Sequence, residues 1–453
     1  MKLYYLEREM ELLRRQLWLS EQEYGRLSLI AGPRLSGKKS LVNAVFKDKK
    51  RIYIGMGGKS ESIVLEDIAG QIKKTLGLYI PASFTTVREA VDFLFVQAAS
   101  EPLTIIIDGI DEIYRRNRAF YDYLSLKWKK YRRKVNFNLV LTAVSSFAVR
   151  EMFYEKESPF AGCLDLEVRT DYFSPDDIKT LLDSAGVKYA PEDLLAMYMI
   201  TGGCPVFVLG AIGAGAVTKD SLIDYFISDR SGYIRRIGAL VDSVLGKGCE
   251  VYTAILQLIA GGVRTQGAIE EKLGMIVGGH LARLEKEYML AAKARPLLSD
   301  KLKRNVVRYY LGSQMTDFWF RYVEGNRSYV EMEDWDTVRE AVRKDFEKYG
   351  REVLCRYFLA KFSQDNPLYE IGGDWEPGNS VSVANPAAGR RPQPDPIDII
   401  AIDRKRKKAL IVAVAFGQSG FDKGPLVKRT EALLKSSLYG FNIDRRLFTL
   451  DDM

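Results

Sequence analysis

Nine residues near the N-terminus, Gly32-Pro33-Arg34-Leu35-Ser36-Gly37-Lys38-Lys39-Ser40, are those whose types and spacing most resemble a site. In a loop of this kind the glycines let backbone N–H groups curl round phosphate oxygens, and the lysine after the second glycine reaches the β- and γ-phosphates. Gly32, Pro33, Arg34, Ser36, Gly37, Lys38, Lys39 and Ser40 are therefore the candidate contacts to ATP or ADP. The position after that lysine ordinarily supplies a hydroxyl to Mg²⁺, and here it is Lys39. An ammonium neutralises charge but cannot ligate a cation. Ser40 is the nearest hydroxyl, turned about 100° further round a helix, and is the candidate Mg²⁺ ligand on the loop.

A matching acidic element lies downstream. Leu103-Thr104-Ile105-Ile106-Ile107-Asp108-Gly109-Ile110-Asp111-Glu112 is a β-branched run ending in carboxylates. Such a run reads as a buried parallel strand that delivers an acid to Mg²⁺ and a base to water. Asp108 is the metal-side candidate, and Glu112 or Asp111 the catalytic, water-side one. A further apolar run, Asn136 to Ala143, ends in Ser145-Ser146. Ser145 is either a polar sensor of the γ-phosphate or an N-cap for the helix that follows.

Holding these groups together requires a scaffold, and residues 1 to about 165 alternate apolar strands with amphipathic helices, the grammar of a parallel α/β sheet. From Ser174-Pro175-Asp176-Asp177, a capping signal, the pattern turns helical to about residue 245 and reads as a lid. Residues 250 to 312 hold three short amphipathic helices and a strand-like stretch ending at Arg308-Tyr309-Tyr310, the outline of a winged helix. Arg264, Lys272, Arg283 and Lys286 are its candidate phosphate contacts. An aromatic helical connector follows. Pro377 to Pro396 reads as a loop, and Ile397–Ile402 and Ala409–Phe416 as a strand pair. The expected domains are 1–170 (nucleotide-binding), 171–245 (lid), 246–312 (winged helix), 313–350 (connector) and 351–453 (terminal domain).

Composition narrows the class. The chain has 453 residues, too many for one core. Its apolar content of 47% and charged content of 28% describe a folded soluble protein rather than a disordered one. A formal net charge of +8 is compatible with a nucleic-acid partner, DNA included, or an acidic-surface one. Four cysteines without CxxC spacing and a solitary His280 do not assemble the usual zinc sets and fit a reducing cytoplasm. The uncharged stretch 196–217 is interrupted by glycines and a proline, so a buried helix pair is expected and no membrane span.

In this order the pieces resemble the archaeal and bacterial STAND-class ATPases (signal transduction ATPases with numerous domains) that carry a C-terminal restriction-endonuclease-like domain. The residues behind the resemblance are Glu7–Leu12, Gly32-Pro33-Arg34, Asp108, Ser158–Gly162, Thr201-Gly202-Gly203-Cys204-Pro205, Ile255–Gly262, Asp317–Val323 and Gly350-Arg351-Glu352. The resemblance implies an α/β P-loop NTPase sheet with a helical lid, a winged-helix domain and a nuclease-like α/β domain, switched by nucleotide and acting on or near DNA. It places Pro205 among the nucleotide-site residues and leaves oligomer formation open. Two departures follow from it. Gly162 is followed by Cys163, where the resembling proteins usually have an arginine. In the terminal domain nuclease relatives place Asp, then Glu-x-Lys on the next strand; here Asp398 and Glu352 are present but the later positions are Ala413 and Ala415. A nuclease fold without nuclease activity is expected, with Glu431 as a conceivable migrated acid. The expected function is an ATP-binding switch with slow hydrolysis. The alternative is a DNA-binding or scaffold protein in which both the nucleotide and the nuclease sites have decayed.

Overall fold

Strands that are apolar at nearly every position need both faces covered, and three such runs make the centre of the first part of the chain. In the computed structural model, which describes residues 4–56, 60–78, 84–144, 146–246, 249–298, 307–373, 397–419 and 421–453, the chain divides into two compact units, Met1–Tyr172 and Phe173–Met453.

The first unit runs α1 (Glu7–Gln22), β1 (Arg26–Ala31), α2 (Lys38–Phe46), β2 (Arg51–Gly55), α3 (Glu61–Leu76), α4 (Val87–Gln97), β3 (Leu103–Asp108), α5 (Ile110–Arg116), α6 (Arg118–Tyr131), β4 (Phe137–Ala143), α7 (Ser146–Phe153) and β5 (Leu166–Arg169). Its five strands are all parallel in the order β2-β3-β4-β1-β5. Period-two alternation sends Leu27, Leu29, Ile105, Ile107, Leu139 and Leu141 to one face, against α3 to α7. Ile30, Ile106 and Val140 go to the other, against α1 and α2. On α6, Trp128 is fully buried and packs edge-on against Phe137, while Lys129 and Lys130 stay exposed. The α/β parallel sheet expected from the strand and helix pattern is therefore present.

The second unit begins with five helices, α8 (Pro175–Ser184), α9 (Pro191–Thr201), α10 (Pro205–Gly213), α11 (Lys219–Phe226) and α12 (Tyr233–Leu245). The Ser174 signal works as read: its hydroxyl accepts from Asp177 N, and the Asp177 carboxylate accepts from Ser174 N at 2.8 Å. Next come α13 (Glu250–Ala260), α14 (Gln266–Leu273), α15 (Gly278–Lys286) and the antiparallel pair β6 (Ala291–Ala294) and β7 (Arg308–Leu311). Then α16 (Gln314–Phe318) passes through a π turn at Trp319–Val323 to α17 (Arg327–Glu331) and α18 (Trp335–Asp365). The last sheet has the order β11-β10-β9-β8, from β8 (Glu370–Gly372), β9 (Ile399–Asp403), β10 (Lys408–Val414), α19 (Gly424–Leu434) and β11 (Asn442–Phe448). Only β10 and β11 are parallel in it, and α19 links them.

One expected boundary does not fit. Residue 350 lies inside the 31-residue helix α18, so connector and terminal domain share one continuous element. The loop read at Pro377–Pro396 lies outside the described residues.

Candidate functional site

The loop after β1 turns on its two glycines. A Cβ at Gly32 would fall 2.1 Å from the Thr170 carbonyl oxygen, and Gly37 has φ +95° with Tyr5 Oη 2.8 Å from where its Cβ would be. Neither position tolerates a side chain. Between them Ser36 is buried, its hydroxyl donating to Pro33 O at 2.8 Å and lying 2.6 Å from Thr170 Oγ1. Tyr172 Oη donates to Arg34 O at 2.7 Å. The loop is thus pinned by the segment leaving β5, while the Arg34 side chain stays exposed.

Lys38 opens α2 and folds its ammonium back onto the loop, donating to Gly32 O at 2.5 Å and Pro33 O at 2.6 Å. Its side chain is buried, and burial brings its pKa down to about 8 against the attraction of Asp108 and Asp111. The carbonyls it holds are neutral acceptors. A phosphate would be a stronger, charged one.

Asp108, at the carboxyl end of β3, has a partner on each oxygen. Thr142 Oγ1 donates to Oδ1 and Tyr53 Oη to Oδ2, both at 2.5 Å, and Lys39 Nζ lies 3.3 Å from Oδ2. Burial pushes the carboxyl pKa up, but these two hydrogen bonds and the ammonium outweigh it, and the net shift is downward. Tyr53 is held protonated by burial and by the same carboxylate. At the expected Mg²⁺ pair, each Asp108 oxygen already accepts a hydroxyl hydrogen bond, an ammonium stands beside one of them, and the Ser40 side chain is exposed to solvent on α2. Among the described residues no group of three His, Cys, Asp or Glu side chains could hold a metal ion.

The two water-side carboxylates differ. Asp111 is buried and accepts Val144 N at 3.1 Å, tying α5 to the end of β4. Glu112 is part-exposed and pairs with Arg116 at 3.2 Å. Glu112 is the one water can reach. Ser145 lies outside the described residues, and Pro205, in the second unit, is the buried first residue of α10. Cys163 is buried in the core that includes Phe153 and Phe160, and burial pushes its thiol pKa up. Arg169 is exposed and bonds Glu167 at 2.6 Å.

In the second unit, Arg351 Nη2 donates to both oxygens of Asp398 at 2.9 Å, and Val414 N adds a third bond at 2.7 Å. Burial pushes Asp398 up against the pull of Arg351. Glu352 does not join it: that carboxylate pairs with Arg264 and, at 3.6 Å, with Arg321. The expected Asp398–Glu352 pair is thus split between two arginine partnerships. Ala413 is packed in the core under α19, Ala415 only donates its N–H to Phe448 O at 2.9 Å, and Glu431 is exposed. Arg264, expected on phosphate, is committed to Glu352 and stacks on Tyr310. Arg283 is exposed but bonds Glu287 at 3.0 Å, whereas Lys272 and Lys286 are exposed without an ion pair among the described residues.

Sequence reading missed Tyr53, Thr142, Thr170 and Tyr172. Thr142 had a signal, being the one hydroxyl late in the apolar run of β4. Tyr53 had none, because only the pairing of β2 with β3 brings it to Asp108.

No protein-family model matches the chain. An uncharacterized protein of Methanocaldococcus jannaschii is 28% identical over 172 residues, 36% of this chain and 35% of that relative, so the chain matches about a third of the relative's length. Among solved structures, the Walker-type ATPase of Pyrococcus abyssi is 17% identical, with 70% of this chain and 95% of that one covered and a TM-score of 0.47. The ORC2 protein of Aeropyrum pernix in its ADPNP–ADP complexes is 14% identical over 76% and 96%, TM-score 0.46. The ORC1 protein of the same organism, in complex with DNA, is 13% identical over 70% and 93%, TM-score 0.44. These TM-scores stay below 0.5, and the fold assignment rests on the chain's own strand order and loop. Among the described residues no helix is long and apolar enough to cross a membrane.

Proposed function

We propose that the chain is an ATP-binding switch of the STAND class, in which the loop Gly32–Ser40 binds nucleotide phosphates and the chain's own Lys39 ammonium stands where a divalent cation would. The observation that carries this reading is the pairing of Lys39 with Asp108 beside a loop whose Lys38 is parked on its own carbonyls. A polyphosphate entering the loop takes Lys38 from neutral acceptors to charged ones, while Lys39 supplies a fixed positive charge near the phosphates. Glu112 orients water in whatever hydrolysis occurs. With no arginine at position 163 and no hydroxyl at 39, turnover is slow and the nucleotide state persists.

The same reading assigns 171–245 as the lid, 246–312 as a winged helix offering Lys272, Arg283 and Lys286 to DNA phosphates, and the C-terminal sheet as a nuclease fold whose Asp398 is neutralised by Arg351. The order long helix, three antiparallel-paired strands, helix, parallel strand in α18 to β11 supports that last assignment.

The test is calorimetric titration of ATP and ADP into the purified chain, once with EDTA and once with Mg²⁺. Binding in EDTA, weakened at least tenfold by Lys38→Ala, supports the reading. Binding that requires Mg²⁺ overturns the role given to Lys39, binding that survives Lys38→Ala unchanged overturns the loop as the site, and no binding in either condition favours a DNA-binding scaffold with a decayed nucleotide site.

A further inference from the structure

A second concavity lies in the first unit, on the α2 face of the sheet at its β2 edge. It has a volume of about 550 Å³, and Lys39, Lys47, Lys49, Arg51 and Lys74 line it with no carboxylate among the lining residues. None of Gly32 to Lys38, Asp108, Asp111 or Glu112 lines it, so it is not the phosphate loop. Its volume falls in the range of about 300–1,000 Å³ usual for small-molecule sites.

Two of the five cations already have partners: Lys39 has Asp108 at 3.3 Å and Lys49 has Glu21 at 2.8 Å. Five less two leaves Lys47, Arg51 and Lys74, which make no ion pair among the described residues. Arg51 Nη1 is moreover buried with no hydrogen-bond partner there. A guanidinium nitrogen buried without an acceptor costs free energy, and an anion held by the rest of that group offsets the cost through its charge. Like charges converging on one cavity raise that cost and focus a positive potential into it.

The walls are fixed before any ligand arrives. The Gln71 side chain accepts from Tyr53 N and donates to Tyr53 O, each at 2.8 Å, so α3 is stitched to the edge strand where a further strand would otherwise pair. Val42, Ile106 and the Tyr53 ring give the cavity apolar lining between the cations. Cations converging round an apolar-lined cavity suit a compact ligand better than a nucleic-acid backbone, which is tracked by a stripe or groove of charge.

We infer that this cavity is a second anion site, for a compact phosphorylated ligand bearing about three negative charges, of the inorganic or nucleoside polyphosphate class. The inference is independent of the nucleotide reading of the loop, because the two sites share no phosphate-binding residue except the rim lysine Lys39.

The probe is inorganic tripolyphosphate, titrated into the full chain in EDTA at low salt. The expected result is a site whose affinity falls at least tenfold in Arg51→Ala/Lys74→Ala, stays within a few-fold in Arg51→Lys, and persists in Lys38→Ala. Circular dichroism and the thermal midpoint of each variant identify any that misfolds, and Lys74→Ala alone, at an exposed position, keeps the test valid if the double variant does: several-fold weaker tripolyphosphate binding is expected, and unchanged binding overturns the inference. Tripolyphosphate binding that disappears with Lys38→Ala and ignores Arg51 and Lys74 overturns the inference, as does absence of binding. A short single-stranded oligonucleotide that binds through Arg51 and Lys74 a hundredfold more tightly than tripolyphosphate overturns it in favour of a nucleic-acid surface. Loss of ATP binding at the loop leaves the Arg51- and Lys74-dependent site in place, so failure of the two readings is distinguishable.

Discussion

Lys38 and Lys39 are adjacent in sequence and opposite in circumstance, and the chemistry of the loop follows from that difference. Lys38 is buried on carbonyl acceptors with its pKa brought down to about 8, so near that pH a substantial fraction is neutral in the free protein. Bound phosphate favours the ammonium and raises that pKa. Binding must therefore take up protons around pH 8, and affinity must fall as pH rises above about 8, because the free protein then holds a lysine that has to be protonated first. Calorimetry of ATP binding at pH 8 in two buffers of different ionisation enthalpy checks the uptake, and a titration series from pH 7 to 9.5 checks the slope. Lys39, by contrast, is largely exposed, and its bond to Asp108 is a surface pair worth of order 1 kcal/mol or less. In the proposed reading its role is positional. Lys39→Thr removes the ammonium and restores a hydroxyl beside Asp108, so it is expected to leave folding within about 1 kcal/mol of wild type and to make ATP affinity rise on adding Mg²⁺, where the parent is indifferent. Paired titrations with EDTA and with Mg²⁺ read that difference directly.

At the level of elements, what was legible in the sequence is what local rules dictate, and what was not depends on pairing across the fold. Apolar runs and glycine spacing revealed β1, β3, β4 and the loop, because a doubly covered strand must be continuous in apolar residues. The clamp on that loop was hidden. Thr170 and Tyr172 follow β5 and look like ordinary linker residues until β5 pairs with β1. Gly32→Ala would drive a Cβ into the Thr170 carbonyl and displace this clamp, so loss of at least tenfold in ATP affinity is expected with the sheet still folded, measurable by titration alongside circular dichroism. The segment Asp317–Val323 is similarly reinterpreted by its partners. Asp317 is buried and takes Arg356 at 2.6 Å and Tyr349 Oη at 3.0 Å, while Arg321 holds Asp345 at 2.8 Å and Ala260 O at 3.1 Å. It ties α16 and its π turn to α13 and α18. Asp317→Ala leaves Arg356 without its carboxylate, and removing one partner of a buried pair costs about 3–5 kcal/mol. Urea unfolding of the second unit, followed by a probe specific to it, is the measurement.

Across the whole molecule, the sequence pattern suggested five domains, because changes of period and composition mark where the chain alters its grammar but not where cores separate. The first expected boundary, at 170, falls within two residues of the division between the compact units at Tyr172 and Phe173. The boundary at 350 fails for a physical reason. The aromatic connector and the terminal domain both pack on α18, whose Tyr349 serves Asp317 while Arg351, two residues on, serves Asp398. Glu352, next in line, reaches back to Arg264 after α13, so one turn of one helix holds charges from three supposed domains. Cutting there would part Glu352 from Arg264 and Arg321, and Arg356 from Asp317, and end a helix in mid-turn with its backbone groups unpaired. A fragment of residues 1–172 is therefore expected to unfold cooperatively by itself, and a fragment starting at 351 is not. Limited proteolysis of the full chain gives the same contrast without truncation: a resistant first unit released near residue 172, and protection through residue 350. Cleavage within 335–365 faster than near 172 would show that α18 does not bind its neighbours together as these ion pairs require.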